Sequence, residues 1–226
     1  MKILISVKDS IEAKAVSGVS GVNIVDIKNP SEGTLGANHP WVIDEIINIL
    51  PSGTEVAASI GDLDFKPGGA SLAALGAASL GVDYITAAMH QVSIKDVKTM
   101  TKTLLKAIED LGTGLIIAGY ADYKRYGGAN PFEFLPYVEG ADYIMLDTAV
   151  KDGKNILNFT SIEELSGFKE ECHALGLKLI IAGSIRYPEL NIIKKVGPDV
   201  LGFRGIVCEN GVVKRGLVER LVRELA

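Results

Sequence analysis

The sequence predicts a single (β/α)₈ barrel domain that spans residues 1–226. Short β-branched runs alternate with longer segments of helical period, and eight such strand-then-helix units follow one another. Several of the runs are nearly continuously apolar, as expected of parallel strands that helices cover on both faces. No linker rich in proline or serine interrupts the chain. A closed α/β barrel is therefore favoured over an open sheet.

Taken in chain order, each strand is a β-branched or apolar run, and each helix is the longer segment of helical period that follows it. The predicted strands are Lys2–Val7, Asn23–Ile27, Glu55–Ile60, Asp83–Ala87, Gly114–Ala118, Asp142–Leu146, Lys178–Ala182 and Asp199–Phe203. The predicted helices are Ser10–Ser17, Pro40–Leu50, Ala70–Leu80, Ser93–Asp110, Pro131–Tyr137, Ser161–Leu175, Pro188–Val196 and Leu217–Leu225.

Two local patterns refine this prediction. The turn after the first strand, Val7–Ser10, has no glycine-rich dinucleotide-binding pattern, which argues against a doubly wound sheet. Asp-Tyr-Ile opens two strands, at 83–85 and 142–144, and Gly-Pro-Asp-Val-Leu-Gly opens the last strand at 197–202. We interpret these as a shared strand-entry signal with a structural role rather than as an internal repeat.

Composition limits the class of protein. A net charge of −5 gives no reason to expect nucleic acid or an anionic membrane as a partner. Two cysteines, Cys172 and Cys208, are typical of a reduced cytosolic protein without a disulfide. The apolar runs are too short for a signal peptide or a membrane span, so we expect a soluble cytoplasmic protein. The three histidines have no metal-ligand spacing, and neither a metal nor a cofactor is predicted.

The second strand carries the strongest signal for chemistry. Asp26 and Lys28 are two residues apart, so their side chains share one face of the strand, and charge inside a barrel is costly. A lysine amine has a reference pKa of about 10.4, but burial or a nearby cation favours its neutral form, which can form an imine with an aldehyde or ketone. The alternative is a structural ion pair of Lys28 with Asp26 or Asp147.

Other candidates follow strands that end at the same barrel mouth. Asp147 comes directly after an apolar strand and could move protons, or it could cap the loop 148–154. Lys151 is either a second active-site cation or a surface lysine. Thr86 ends the fourth strand.

Small residues after the last two strands predict a phosphate site. Glycine lets backbone N–H groups approach an anion, and barrels of this type often bind phosphate there. Ordinary turn glycines are the alternative. The candidate phosphate-binding residues are Gly183, Ser184, Gly202, Arg204 and Gly205.

Several blocks carry a resemblance to one enzyme family. The residues 25–43, 66–77 and 146–154, with Ala182–Ile185 and Phe203–Gly205, resemble the (5-formylfuran-3-yl)methyl phosphate synthase family of methanofuran biosynthesis. The resemblance implies a Schiff-base lyase that joins two glyceraldehyde 3-phosphate molecules with loss of phosphate and water. It implies Lys28 as the Schiff-base lysine, with Asp26, Asp147 and Lys151 around it.

One position departs from that family. Where the family carries a second active-site lysine, in a pattern like Asp-Tyr-Ile-Lys-Val-Gly, this chain has Thr86, which we include among the catalytic candidates. A threonine cannot act as a base near neutrality, and we hypothesise that His90 or Lys66 substitutes. Two alternatives stay open: an aldolase-like enzyme for another small phosphorylated carbonyl compound, and a catalytically silent sugar-phosphate-binding barrel. A homo-oligomer is a fold-level expectation.

Overall fold

The computed structural model describes residues 1–226 and contains a closed barrel of eight parallel strands. Neighbouring strands pair in chain order, and the eighth strand closes the barrel against the first. The strands are β1 Lys2–Val7, β2 Ile24–Ile27, β3 Glu55–Asp64, β4 Tyr84–Gln91, β5 Gly114–Tyr120, β6 Tyr143–Asp147, β7 Lys178–Ile181 and β8 Val200–Phe203. The predicted fold class is confirmed.

Helices connect the strands, as predicted. They are α1 Ser10–Val16, α2 Pro40–Ile47, α3 Pro67–Ala78, α4 Ile94–Ile108, α5 Pro131–Phe134, α6 Ile162–Ala174, α7 Tyr187–Val196 and α8 Arg215–Leu225. Helix α5 is shorter than predicted, because Pro136 follows it and the chain continues as a 3-10 turn. Helix α3 begins earlier than predicted, at Pro67, because proline is favoured at the first helical position. None of the helices is long and apolar enough to cross a membrane.

Strands β3 and β4 extend beyond their predicted ends. Their register shifts between Ser59 and Asp62, around Gly61, whose φ of 125° lies in a region that favours glycine. A bulge of this kind re-aims the side chains that follow it. It lets β3 reach Asp64 and brings Asp62 into contact with the Tyr120 hydroxyl group at the end of β5.

The acidic strand-entry residues have the structural role that their pattern predicted. Each accepts a hydrogen bond from a backbone N–H near the start of the preceding strand: Asp83 from Val56 at 2.7 Å and Asp142 from Leu115 at 2.8 Å. At the entry to β8, Asp199 accepts one from Leu179, also at 2.8 Å. These carboxylates satisfy backbone donors at the amino-terminal end of the barrel. Their role at the strand entries is therefore structural.

The core has two layers. The larger layer lies between the sheet and the helices, and the smaller one fills the barrel interior. Side chains from alternate strand positions fill that interior, among them Leu4, Ile24, Ile116, Tyr143 and Ile180. The interior is thus a packed core.

Candidate active site

A cavity of about 370 Å³ opens at the carboxyl end of the barrel. Nine of the ten residues that the sequence predicted for the site line this one cavity. They are Asp26, Lys28, Asp147, Lys151, Gly183, Ser184, Gly202, Arg204 and Gly205. They come from the carboxyl ends of β2, β6, β7 and β8, where barrel enzymes place their reactive groups.

Lys28 directly follows β2 and is only 7% exposed. It takes part in none of the ion pairs of the structure, so the alternative reading as a structural pair with Asp26 or Asp147 is not realised. Burial lowers the pKa of the Lys28 amine, and the cations Lys151 and Arg204 act in the same direction, against the opposing fields of Asp147 and Asp26. The neutral amine needed for addition to a carbonyl group is therefore more populated than in an exposed lysine.

Asp26 is fully enclosed beside Lys28. It accepts hydrogen bonds from the hydroxyl groups of Ser6, at 2.9 Å, and Ser59, at 3.3 Å. Burial raises the pKa of its carboxyl group, although Lys28 and the two serines oppose that effect. The serines fix the orientation of the carboxyl group, and the raised pKa brings proton exchange closer to neutral pH.

Asp147 is the last residue of β6, and its pKa is lowered, whereas that of Asp26 is raised. Its Oδ1 accepts a hydrogen bond from Lys151 Nζ at 2.9 Å and another from the Thr148 N–H at 2.6 Å. Burial alone would raise the pKa of Asp147, but the charges of Lys151 and Lys28, with these hydrogen bonds, lower it. The pKa values of the Asp26 and Asp147 carboxyl groups, both near the Lys28 amine, are thus shifted in opposite directions. In enzymes, such opposite shifts distinguish the proton donor from the proton acceptor.

The loop after β6 is capped by Asp122, a residue beyond the end of β5 to which the sequence analysis gave no capping role. Asp122 accepts hydrogen bonds from the Ala149 N–H at 2.7 Å and the Val150 N–H at 3.0 Å. The cap that was considered for Asp147 is therefore supplied mainly by Asp122. Lys151, which was open between a cation of the site and a surface lysine, lies on the cavity wall and pairs with Asp147.

The loop after β7 forms the opposite wall. Gly183 and Ser184 both have positive φ, 97° and 55°. A Cβ atom at Gly183 would lie 3.1 Å from Ile156 Cβ and 3.3 Å from the Thr148 backbone N, so the close approach requires glycine. Helix α7 begins at Tyr187, shortly after this loop, and its amino-terminal end favours an anion.

Arg204 lines the cavity, and its guanidinium group donates hydrogen bonds to Glu12 and Ser6. It donates to Glu12 Oε2 at 2.6 Å, to Glu12 Oε1 at 3.0 Å and to the Ser6 carbonyl oxygen at 3.1 Å. Glu12 is 0% exposed and also accepts from the Lys8 and Val213 N–H groups. Most of the donors of Arg204 are thus used within the protein, so it supplies a fixed positive charge to the cavity wall.

The β2–α2 loop, residues 29–38, covers the other half of the barrel mouth. Asp62 accepts hydrogen bonds from the Thr34 N–H at 2.9 Å and the Leu35 N–H at 3.2 Å, and the Tyr120 hydroxyl group also donates to it. The Thr34 hydroxyl group donates to the Ala149 carbonyl oxygen at 2.9 Å. Leu35 is fully buried against the barrel interior. The loop therefore confines the cavity to the side of β1, β2 and β6–β8.

Thr86 lies inside β4, which continues to Gln91, and not at the strand end where the sequence analysis placed it. Thr86 is 0% exposed and is not among the residues that line the cavity, so its inclusion with the catalytic candidates is not supported by its position. His90 stacks on Tyr126 at 4.4 Å, and Lys66 is an exposed partner of Asp64, so neither proposed substitute reaches the cavity.

Thr86→Val tests this placement. The Thr86 hydroxyl group is buried without a hydrogen-bond partner, and a buried hydroxyl of this kind destabilises a fold. We expect valine to leave turnover within about twofold and to raise the free energy of unfolding by about 1 kcal/mol. Urea unfolding and steady-state kinetics measure the two quantities. A large loss of turnover in a folded variant would return Thr86 to the catalytic set.

Asp62→Ala tests the attachment of the β2–α2 loop. Removal of the carboxylate leaves the Thr34 and Leu35 N–H groups without their acceptor, so we expect faster hydrogen exchange across residues 29–38. Because Gly33 and Thr34 line the cavity, we expect KM to rise roughly tenfold, equivalent to about 1.4 kcal/mol. Asp64→Ala, which changes an exposed neighbour, is the control. Exchange as slow as in the parent protein would refute this role of Asp62.

Comparisons with known proteins give a consistent result over the whole chain. A family model described as 4-HFC-P synthase matches residues 3–226. Relatives named (5-formylfuran-3-yl)methyl phosphate synthase include one from Methanococcus maripaludis strain C7, 44% identical over 100% of this chain and 98% of the relative. One from Methanocaldococcus jannaschii is 42% identical with the same coverage, and one from Methanosarcina mazei is 40% identical over 99% of each chain.

Solved structures show the same fold at low identity. 3-Hexulose-6-phosphate synthase from Salmonella typhimurium has a TM-score of 0.71 and 16% identity, covering 100% of this chain and 98% of its own. N-(5'-phosphoribosyl)anthranilate isomerase from Pyrococcus furiosus has a TM-score of 0.67 and 18% identity with the same coverage. At these identities the likeness concerns the barrel architecture alone.

Proposed function

The chain belongs to the 4-HFC-P synthase family, and we propose that it condenses two glyceraldehyde 3-phosphate molecules to (5-formylfuran-3-yl)methyl phosphate through an imine on Lys28. The observation that carries this proposal is the buried Lys28 amine, free of any ion pair, between two carboxyl groups whose pKa values are shifted in opposite directions. In this proposal the protein is a cytoplasmic lyase of methanofuran biosynthesis.

The first step is addition of the neutral Lys28 amine to the aldehyde carbon of one substrate, followed by loss of water to give the imine. Burial lowers the pKa of Lys28, so a larger fraction of the amine is neutral near pH 7 than for an exposed lysine. Asp26, held by Ser6 and Ser59 and with a raised pKa, is placed to give a proton to the departing water.

The next steps need a base. An imine acidifies the neighbouring C–H bond, and the ionised Asp147 carboxylate can take that proton to leave an enamine that attacks the second aldehyde. Lys151, 2.9 Å from Asp147 Oδ1, keeps Asp147 ionised and can protonate oxygen atoms that leave or become negative. In this scheme Asp26 is the acid and Asp147 is the base beside Lys28. The reaction therefore does not need a lysine at position 86, where this chain has Thr86.

Substrate phosphate groups are accommodated by the loops after β7 and β8. Gly183 and Ser184 form a backbone turn at the cavity wall, and Gly205 opens a short 3-10 helix beside it. Arg204 and Lys151 add positive charge to the same cavity. Two triose phosphates lose one phosphate and two waters to give the furan product, and this balance needs no external oxidant or reductant.

The test is incubation of the purified protein with glyceraldehyde 3-phosphate, trapping with borohydride, and peptide mass analysis while furan-aldehyde absorbance is followed. The proposal predicts an adduct on Lys28 together with the furan product. An adduct without furan would favour an aldolase-like reaction on another small phosphorylated carbonyl compound. Neither adduct nor product would contradict the proposal and favour a different ligand.

A further inference from the structure

Lys151 reaches Asp147 from a loop whose residues 151–154 are exposed. The Lys151 side chain is itself 45% exposed, yet its Nζ lies 2.9 Å from Asp147 Oδ1 and 3.3 Å from Thr148 Oγ1. A lysine side chain loses about 1.5–2 kcal/mol of conformational free energy when it is fixed in one position, so partly exposed ion pairs are usually weak. The contact therefore depends on where the loop places the backbone of Lys151.

Asp122 fixes that backbone from a position just beyond the end of β5. It is 1% exposed, and its two carboxylate oxygen atoms accept from consecutive N–H groups, those of Ala149 at 2.7 Å and Val150 at 3.0 Å. Strand β5 pairs along its length with β6, which ends at Asp147. The two residues immediately before Lys151 are therefore held against the strand pair that carries Asp147.

A second contact holds Ala149 through its carbonyl group. The Thr34 hydroxyl group, on the β2–α2 loop, donates to the Ala149 carbonyl oxygen at 2.9 Å. Both backbone groups of Ala149 are thus bound, the N–H by Asp122 and the carbonyl oxygen by Thr34. Arg125 also reaches this loop, at Asp152, but that ion pair joins two exposed residues and contributes little. The anchoring is concentrated just before the active-site lysine.

We propose that Asp122 is a positioning residue that holds Lys151 on Asp147. The Thr34 hydroxyl group assists by fixing the same stretch of backbone. Asp122 acts through the loop and not on the substrate, since it is not among the residues that line the cavity. Its contribution to turnover rests on the proposed function, in which Lys151 keeps Asp147 ionised and protonates departing oxygen atoms. The placement of Lys151 can be tested without any substrate.

The direction of a pKa change separates this positioning role from a direct effect of charge. The charge of Lys151 is the largest influence that lowers the pKa of Asp147, against the effect of burial. Release of the loop takes that cation away and raises the pKa of Asp147. Loss of the negative charge of Asp122 alone would lower it, because removal of an anion favours ionisation of a neighbouring carboxyl group. Three other ionisable groups face Asp147 from the ends of β2 and β5 and stay unchanged in the variants: Lys28, Asp26 and Tyr120.

The first test is an NMR titration of Asp122→Asn, isotopically labelled at the carboxyl carbons of aspartate. We expect the pKa of Asp147 to be higher than in the parent protein, with its signal identified by absence from Asp147→Asn. Asp152→Asn, the same chemical change at an exposed residue of the same loop, is the matched control and should leave that pKa in place. An unchanged or lowered pKa of Asp147 in folded Asp122→Asn would overturn the proposal.

Lys151→Met completes a double-mutant cycle with Asp122→Asn. Alone it should raise the pKa of Asp147, and the addition of Asp122→Asn should raise that pKa no further, because the cation is already gone. A further rise in the double variant would show that Asp122 acts by another route, against the proposal.

Thr34→Val releases the same stretch of backbone without changing a charge. It should also raise the pKa of Asp147, and it keeps the proposal testable if Asp122→Asn does not fold. No rise in Thr34→Val would then count against anchoring of the loop as the cause of the contact between Lys151 and Asp147.

Turnover is the functional readout. We expect furan formation by Asp122→Asn to fall roughly 10²-fold near neutral pH, as misplacement of a catalytic group by about 1 Å does, and Asp152→Asn to stay within about twofold of the parent protein. Equal turnover in Asp122→Asn and the parent protein would overturn the role in catalysis. A raised pKa of Asp147 in Asp122→Asn, with no furan formed even by the parent protein, would contradict the proposed function and still support the placement of Lys151 by Asp122.

Discussion

Lys28→Met is expected to abolish the borohydride-trapped adduct and to lower turnover by roughly four orders of magnitude or more, as removal of a covalent nucleophile does in other enzymes. Methionine has similar length and apolar character, so it can occupy the space of a side chain that is only 7% exposed. Intact-protein mass after trapping and furan-aldehyde absorbance measure the two losses. The adduct of the parent protein should map to the peptide that contains Lys28.

The same variant has an expected effect on stability. Burial lowers the pKa of Lys28 in the folded protein relative to the unfolded chain, so the unfolded chain binds more protons between the two values. Burial of the charged Lys28 amine lowers the free energy of unfolding, and this loss is largest at pH values below the pKa of Lys28 in the folded protein. The loss disappears when the pH rises above the pKa of lysine in the unfolded chain, about 10.4. We therefore expect Lys28→Met to have a higher Tm than the parent protein near neutral pH.

The pH dependence separates this effect from a general packing gain. The difference in Tm between Lys28→Met and the parent protein should narrow as pH is raised toward about 10, where the unfolded lysine also loses its proton. Lys66→Met, which changes an exposed lysine, is the control and should show no such trend. A Tm difference that is constant with pH would show that the Lys28 charge is not the cause.

The barrel and the core of the site were predictable because their signals are periodic and local. A parallel strand covered by helices appears in the sequence as an apolar run between two helical segments. The structure has a barrel strand at each of the eight predicted positions. Asp26 and Lys28 share a strand face through their spacing of two residues, and Asp147 ends an apolar strand. Their convergence followed from a general property of barrels, the gathering of strand ends at one mouth.

Residues that act through distant partners were not predictable. Glu12 lies 192 positions from Arg204, and nothing local marks it as the partner that holds the guanidinium group. Asp62 is 28 positions from Thr34, and its role depends on the path of the β2–α2 loop. Thr86 was misplaced for a different reason: β4 continues to Gln91, so Thr86 lies inside the strand rather than at its carboxyl end. Long-range contacts within loops decide which strand ends stay accessible.

Asp147→Asn is expected to separate imine formation from the later proton transfers. Asparagine keeps the shape of the side chain but cannot act as a base, and loss of a positioned general base lowers turnover by about 10²–10⁴-fold. Lys28 remains, so the borohydride adduct should still form. The measurement is furan formation beside adduct mass in the same samples, with Asp152→Asn, an exposed change on the same loop, as the control.

The pH dependence of trapping in Asp147→Asn tests the electrostatic part of the same argument. The negative charge of Asp147 is the largest influence that raises the pKa of Lys28, against the effect of burial. Its removal lowers that pKa further, so the rise of adduct formation with pH should move to lower pH than in the parent protein. An unchanged profile would mean that Asp147 is neutral or too well screened to act on Lys28. Loss of the adduct in a folded variant would instead assign Asp147 to imine formation itself, and Asp26 would then be the remaining candidate for the later proton transfer.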